Sequence, residues 1–196
     1  MIIHDISRDL NGCEVYPGDP ETQIRFLKHL DNGDEYTLSV IGTCSHAATH
    51  IDAPSHFYSD GRTLDQLPLS TFYGKCTVIT ISGVLTGADM EKLLPYCKNK
   101  ILLHGQGKAY ISSSAAIVLS ESNVSLIGTD ALSIAPEFDE EKTHLELAKS
   151  SIAVLEGLDL EGIEDGEYVL SAFPIRISKV EAAPCRAILF QQEKGF

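Results

Sequence analysis

Three of the seven histidines in this chain of 196 residues fall within eleven consecutive residues, together with one aspartate. The histidines are His46, His50 and His56, and the aspartate is Asp52. Neutral imidazole and carboxylate are ligands that suit zinc, manganese or iron. A single His–Asp pair is usually an ordinary hydrogen bond, but this density of ligand types favours a metal site or catalytic use.

The spacing within this segment restricts how its side chains could share one ion. A straight strand rises about 3.3 Å per residue, so His46 and His50 would lie roughly 13 Å apart in an extended chain. Zinc–nitrogen bonds are about 2.0 Å long, so both could bind one ion only if residues 46–50 curl. Asp52 follows His50 by two residues, and in an extended segment both side chains point the same way. Pro54 then changes the chain direction, which could bring His56 back over the pocket.

The same segment resembles the signature of a known family. The residues are His46-x-x-Thr49-His50-x-Asp52-Ala53-Pro54-x-His56-Phe57. They are similar to the HxGTHxDxPxH motif of the cyclase family, whose best-known members are bacterial kynurenine formamidases and isatin hydrolases. Further matches follow in the family's order over most of the chain: Tyr16-Pro17-Gly18-Asp19, the stretch 127–133, His144 and Glu156.

The resemblance implies a centre of two divalent ions, usually zinc in the formamidases, with manganese as the alternative. His46 and His50 would hold the first ion, and Asp52 would bridge the two. His144 would hold the second ion, and Glu156 would reach both. This set of five ligands is a prediction from the family's motif positions.

The resemblance also implies the chemistry. A metal-bound hydroxide would attack the carbonyl of an aryl formamide, amide or lactam, with His56 as general acid and base. Tyr16 stands where kynurenine formamidases often have tryptophan, and with Phe57 and Tyr58 it is a candidate for substrate contacts. Ala48 replaces the glycine of the family motif, which is expected to crowd the curl. Formylkynurenine, and with it tryptophan catabolism, is one substrate possibility.

Three interpretations of different kinds remain open. The first is a dinuclear metal-dependent amidohydrolase. The second is a mononuclear relative of isatin hydrolase, or an enzyme that opens lactones with the same parts. The third is a non-catalytic ligand-binding protein that kept the fold, although every motif ligand is present. A serine hydrolase is disfavoured because the sequence has no GxSxG motif, and Cys44 is expected to pack rather than to act as a nucleophile.

The elements that must position these residues alternate between strands and short helices. The β-branched run 75–81 and the apolar runs 101–104 and 151–155 predict buried strands. Helical spacing predicts helices over 90–98, with Asp89 as the capping residue, and over 112–120 and 137–150. The tail 168–190 predicts two or three strands broken by Pro174 and Pro184.

This alternation predicts a mixed α/β fold but does not specify the topology. The resemblance implies the three-layer β/β/α swivelling-domain fold, with a mixed sheet, short flanking helices and one domain over residues 1–196. It also implies a homodimer.

Composition limits the possible partners. Acidic residues outnumber basic ones by 28 to 15, for a formal net charge of −13, which disfavours nucleic acids and anionic membrane surfaces. No apolar stretch approaches the roughly 18 to 20 residues that span a bilayer, and the first residues lack the apolar core of a signal peptide. The five scattered cysteines form no CxxC pair, which predicts free thiols. These features predict a cytoplasmic protein with a small-molecule substrate.

Overall fold

A nine-stranded mixed sheet is the largest element of the computed structural model, which describes residues 1–192. The strands in chain order are β1 (Ile2–Asp5), β2 (Gln23–Lys28), β3 (Leu38–Gly42), β4 (His50–Asp52), β5 (Tyr73–Thr80), β6 (Gly83–Leu85), β7 (Lys100–His104), β8 (Ala109–Ile111), β9 (Leu126–Thr129), β10 (Ala153–Glu156), β11 (Gly166–Ser171), β12 (Ala182–Pro184) and β13 (Ile188–Gln191). The helices are α1 (Gly87–Leu93), α2 (Ser113–Ser120) and α3 (Glu140–Lys149).

The order of strands in the large sheet is β1-β13-β11-β5-β7-β9-β10-β4-β12. Neighbouring strands from β5 through β10 run parallel, and the other pairs are antiparallel. Two cores flank the sheet. One face of nearly all its strands contributes to a single apolar cluster, so the sheet curls around it, while the other face packs against the helices. The mixed α/β prediction is confirmed, and the short helices lie on one side as the resemblance implied.

The first helix differs from its prediction at both ends. Thr86, rather than Asp89, is the capping residue, and Asp89 is the third helical residue of a reciprocal capping box. The helix ends at Leu93 and continues only as a 3-10 turn, Leu94–Tyr96. Pro95 explains this end because its ring clashes with the preceding turn and it has no N–H to donate.

One other expectation needs correction. The helix predicted over 137–150 begins as a 3-10 turn, Glu137–Asp139, and becomes α-helical only at Glu140. Pro184 is the last residue of β12, so this strand ends at the proline as expected, and the next strand begins at Ile188. Because β12 is an edge strand that pairs with β4 alone, the missing N–H of proline costs the sheet little.

The strands β2 and β3 form a separate two-stranded ribbon that the sequence patterns did not fully predict, since β2 was missed. Nearly every residue of these two strands is exposed, including several large apolar ones. Within residues 1–192, no helix has the length and apolar character needed to cross a membrane.

Candidate metal and catalytic site

The register of two antiparallel strands brings the first ligand candidates together. In β4, Ile51 points into the core inside the curled sheet, so His50 and Asp52 lie on the opposite face, towards the helices. Glu156, the last residue of β10, pairs directly with His50 across the strands. Residues paired in this way share one face of a sheet. The expectation that His50 and Asp52 point the same way is therefore confirmed.

The segment before β4 curls, as one shared ion would require. Residues 45–49 form a turn and bends, and Ala48 adopts a left-handed conformation with φ of 55°. The Ala48 carbonyl accepts a hydrogen bond of 3.0 Å from Nδ1 of His50. Gly157 packs closely against this curl, and a Cβ atom on it would lie 2.2 Å from the Ala48 carbonyl oxygen.

Helix α3 supplies the fourth imidazole. Thr143, His144, Leu147 and Ala148 are the buried residues of this helix, so its buried face carries His144 towards the sheet. Nδ1 of His144 donates to the Glu140 carbonyl one turn earlier, at 3.0 Å. The other ring nitrogen, Nε2, lies 3.3 Å from Oε1 of Glu156.

Five side chains thus meet at the floor of one cavity of about 240 Å³. They are His46, His50, Asp52, His144 and Glu156. Their ligand atoms form two groups that share Asp52, one with His46 and His50 and the other with His144 and Glu156. Within each group, every ligand atom lies within 4.8 Å of the others.

The unsatisfied atoms at this floor fit a divalent cation. Nε2 of His50 and both carboxylate oxygens of Asp52 are buried, and within the described chain none makes a hydrogen bond of normal geometry. Leaving buried polar atoms unpaired costs about 1–3 kcal/mol each, and more when they are charged. Nitrogen and carboxylate donors at this spacing are the usual ligands of zinc and manganese, so a cation bound between them would satisfy all three atoms.

The ring nitrogens that face away from the cluster are also held. Those of His50 and His144 donate to main-chain carbonyls, as described above. In His46 the outer contact is that of Nε2, which lies 3.4 Å from the carboxylate of Glu181, whereas Nδ1 lies 2.9 Å from Asp52 inside the cluster. Such outer contacts fix the tautomer and ring orientation of metal-binding histidines.

The charges in the site perturb its pKa values strongly. Burial alone would lower the pKa of His50 and of His144, but the adjacent carboxylates of Asp52 and Glu156 outweigh it and raise both to about 9. The pKa of His46 is raised for the same reason, mainly by Asp52. Burial would raise the pKa of Glu156, yet the adjacent rings of His144 and His50 hold it far below its ordinary value. Without a bound cation, His50 and His144 are therefore protonated at neutral pH.

His56 differs from the other histidines. It is the exposed member of the group and lies in a 3-10 turn that begins at Pro54. Its ring centre is 4.2 Å from that of His46 and 6.3 Å from that of His144. Partial burial, together with the neighbouring imidazoles, holds the pKa of His56 below its ordinary value although nearby carboxylates oppose this. The ring is therefore neutral at pH 7 and able to accept a proton.

Aromatic residues line the rest of the cavity. Phe57 stacks on His144 with ring centres 4.5 Å apart. Tyr16 donates a hydrogen bond of 2.7 Å to Oε2 of Glu140, which raises the pKa of Tyr16 to about 12. Tyr58 lies in the turn after His56 and does not line this cavity. Cys44 does not line it either, and its thiol lies 3.7 Å from Asp19.

Three acidic residues of the site were missed in the sequence. Glu140 precedes His144 by four residues, so helical periodicity alone could have placed it beside the site. Asp19 ends the Tyr16–Asp19 motif but was not assigned a role. Glu181 carries no signal, because it comes from a loop that only the fold brings next to His46.

The chain is similar to known proteins over nearly its whole length. Residues 4–136 match the model of the Cyclase family, described as "Putative cyclase". The chain is 32% identical over 202 residues to a kynurenine formamidase of Erythrobacter litoralis, covering 95% of this chain and 93% of that protein. It is 30% identical over 199 residues to a kynurenine formamidase of Bacillus anthracis, covering 94% and 95%. A solved structure described as a potential metal-dependent hydrolase with cyclase activity superimposes with a TM-score of 0.82 at 25% identity, covering 98% of both chains.

Proposed function

Because this chain belongs to the Cyclase family and is a hydrolase, we propose that it cleaves the carbon–nitrogen bond of an aryl formamide, amide or lactam with the help of divalent metal ions. The observation that carries the proposal is the buried cluster of unpartnered nitrogen and carboxylate atoms at the floor of the cavity. The similarity to two kynurenine formamidases over nearly the whole chain supports an aryl formamide as the first substrate to test.

Two ions would be held by the five side chains of the cavity floor. We assign His46, His50 and Asp52 to one ion and His144 and Glu156, with Asp52 shared, to the other. The carboxylate of Glu156 also lies 3.4 Å from Nε2 of His50, which supports a position between the two ions. A divalent ion in such a site lowers the pKa of water towards 7 and polarises a carbonyl.

His56 is assigned the proton transfer. Hydrolysis of an amide moves one proton from the attacking water to the nitrogen that leaves. The hydroxyl stays on the carbonyl carbon, so the products are a carboxylic acid and an amine. A neutral imidazole beside the cavity floor accepts that proton, and the imidazolium donates it to the nitrogen as the carbon–nitrogen bond breaks. The lowered pKa of His56 supports this role because it keeps the ring unprotonated before the reaction.

Tyr16 and Phe57 are assigned contacts with the aryl group of the substrate. Both line the cavity, and aromatic rings stack favourably on one another. A substrate contact for Tyr58 stays a prediction, since its position supplies no support.

A screen of metal-loaded protein tests this function. Aryl formamides, lactams and lactones should be compared, each with and without a chelator. We expect hydrolysis of at least one aryl formamide, loss of that activity with the chelator, and recovery on addition of zinc or manganese. Metal-loaded protein that hydrolyses none of these carbonyl compounds would support the ligand-binding alternative instead.

We further propose that the chain acts as a homodimer, with one functional domain over residues 1–196. The ribbon of β2 and β3 supports this because a two-stranded sheet is only marginally stable alone. The exposed large apolar residues of the two strands and of the segment that connects them are Ile24, Phe26, Leu27, Leu30, Tyr36, Leu38, Val40 and Ile41. Light scattering after size exclusion should give twice the monomer mass of 21.3 kDa, and the monomer mass itself would refute the dimer.

The five cysteines are free thiols, as predicted. This supports a reducing compartment, and we propose the cytoplasm.

A further inference from the structure

The three histidines assigned to metal ions do not present the same ring nitrogen to the cavity floor. His50 and His144 both turn Nε2 towards Glu156, at 3.4 and 3.3 Å, and each places Nδ1 3.0 Å from a main-chain carbonyl. His46 has the reverse arrangement, because its Nδ1 is the atom that lies 2.9 Å from Oδ1 of Asp52. A neutral imidazole binds a metal ion through the nitrogen that has no proton. His46 must therefore hold its proton on Nε2, and the other two rings on Nδ1.

The outer nitrogen of His46 meets a side chain rather than the main chain. Nε2 lies 3.4 Å from Oε1 of Glu181. The same carboxylate oxygen accepts a hydrogen bond of 2.6 Å from the hydroxyl of Ser45, the residue before His46. The main-chain carbonyl of Glu181 accepts a second hydrogen bond, of 2.7 Å, from the Ala53 N–H. Both anchors belong to the segment that supplies the first ligands, so Glu181 is fixed relative to His46.

His46 needs such a partner more than the other two histidines do. Its side chain is 16% exposed, against 4% for His50 and for His144, so less of its surroundings holds the ring in place. Among the ion pairs of residues 1–192, the Glu181 carboxylate contacts His46 alone. A carboxylate at the outer nitrogen fixes the tautomer of a metal-binding imidazole and raises its basicity as a ligand.

We infer that Glu181 is a positioning residue of the metal centre, which keeps the His46 proton on Nε2 and so presents Nδ1 to the first ion. The inference rests on the proposed function for the assignment of His46, His50 and Asp52 to one ion. Glu181 should consequently affect the ion of this group, and affect the ion of the His144 group much less. The Ser45 hydroxyl supports the same geometry because it holds the carboxylate oxygen that faces the ring.

Nuclear magnetic resonance tests the tautomer directly. Long-range proton–nitrogen spectra of zinc-loaded protein distinguish the metal-bound from the protonated nitrogen in each imidazole, with every ring assigned through its own Cβ and backbone signals. We expect His46 to be metal-bound at Nδ1 and protonated at Nε2, and His50 and His144 to show the opposite pattern. A His46 ring that binds zinc through Nε2 would overturn the inference.

Zinc affinity tests the role of the carboxylate. The variants are Glu181→Ala and Glu181→Gln, and the matched control is Glu141→Ala, which removes a carboxylate from an exposed position of α3 that belongs to neither ligand group. In competition with a chromophoric chelator, Glu181→Ala should weaken the binding of one of the two ions by about 10–100-fold. Glu181→Gln keeps an acceptor oxygen without its charge, so it should lose less affinity and retain the His46 tautomer. Glu141→Ala should bind both ions as the wild type does.

Unchanged affinity for both ions in Glu181→Ala, or an equal loss in Glu141→Ala, would overturn the positioning role. Circular dichroism of the metal-free variants checks that the fold is retained, as expected for a side chain that is 39% exposed. The two proposals fail separately. Protein with the predicted His46 tautomer and zinc affinities that hydrolyses no carbonyl compound keeps the positioning role and refutes the hydrolytic function. Metal-dependent hydrolysis by protein whose His46 binds zinc through Nε2 keeps the function and refutes the positioning role.

Discussion

Glu156 and His50 are direct partners in the antiparallel pairing of β10 and β4, and their ligand atoms lie 3.4 Å apart. Two residues far apart in the sequence are thereby held on one face of a buried sheet. A shift of one residue in this register would turn His50 and Asp52 into the core and bring Ile51 to the site. Burial of Ile51 in the apolar core therefore fixes the strand register that places His50 and Asp52 in the candidate metal site.

Gly157 should be intolerant of any side chain. We expect Gly157→Ala to lower the free energy of unfolding by about 2–4 kcal/mol, because the added Cβ atom would meet the Ala48 carbonyl and the backbone φ is 66°. Urea denaturation measures the loss. Gly162→Ala is the matched control, since its φ is 75° but no atom lies within 4 Å of the added carbon. It should lose only about 1 kcal/mol, and equal losses in the two variants would contradict the close approach.

Ala48 should carry strain that a glycine would relieve. A left-handed conformation costs a non-glycine residue roughly 1–2 kcal/mol, which glycine avoids. Glycine also loses more conformational entropy on folding than alanine does, which offsets roughly 0.5–1 kcal/mol of that gain. Ala48→Gly should therefore stabilise the protein by about 0.5–1 kcal/mol in urea denaturation. Ala47→Gly is the control, because Ala47 is also buried but has no positive φ, and it should destabilise. If both substitutions destabilise equally, the curl does not strain Ala48.

His56 should affect turnover without affecting metal content. We expect His56→Ala to lower kcat on the order of 10²-fold or more, the usual contribution of a general acid and base. The metal content measured by mass spectrometry should equal that of the wild type, since His56 belongs to neither ligand group. Full activity in the variant would remove His56 from the mechanism.

Metal binding should release protons. At pH 7 the metal-free protein holds protons on His50 and His144, whose pKa values are about 9, and an ion must displace them. Affinity for zinc should therefore rise between pH 6 and pH 9. Calorimetry in buffers of different ionisation enthalpy should count at least about two protons released per chain, from His50 and His144, with a further contribution from His46, and a binding enthalpy that does not depend on the buffer would contradict this.

The stability of the metal-free protein should follow the same groups. A raised histidine pKa stabilises the fold fully below the ordinary value of 6.5, and this contribution is lost as the pH rises through about 9. The lowered pKa of Glu156 adds stability above its ordinary value of 4.5, which is lost on acidification. Thermal unfolding of metal-free protein should thus show its highest Tm between these two ordinary values.

The set of five candidate ligands is predicted from the resemblance to the family's motif positions, and local patterns in the sequence support part of it. His46, His50, Asp52 and His56 lie within one segment, and helical spacing turns His144 inward from α3. Glu156 ends an apolar strand, but only the resemblance to the family singles it out as a ligand. The side of the sheet on which these residues meet follows from Ile51, which is apolar and alternates with His50 and Asp52.

Other features depend on tertiary contacts that no local pattern encodes. Glu181 reaches His46 only because β12, which begins at the next residue, pairs with β4. Strand β2 was missed although Ile24 and Phe26 alternate with Gln23 and Arg25, and in the structure both faces of this strand are exposed, so the alternation does not mark a buried face.

The central claim is a centre of two ions held by five side chains. The metal content of the protein tests this claim most directly. Wild-type protein loaded with zinc or manganese and freed of excess metal should contain about two ions per chain by mass spectrometry. His144→Ala, which removes a ligand of the second group only, should contain about one. A wild-type protein with a single ion that His144→Ala leaves in place, or with none, would contradict the dinuclear centre.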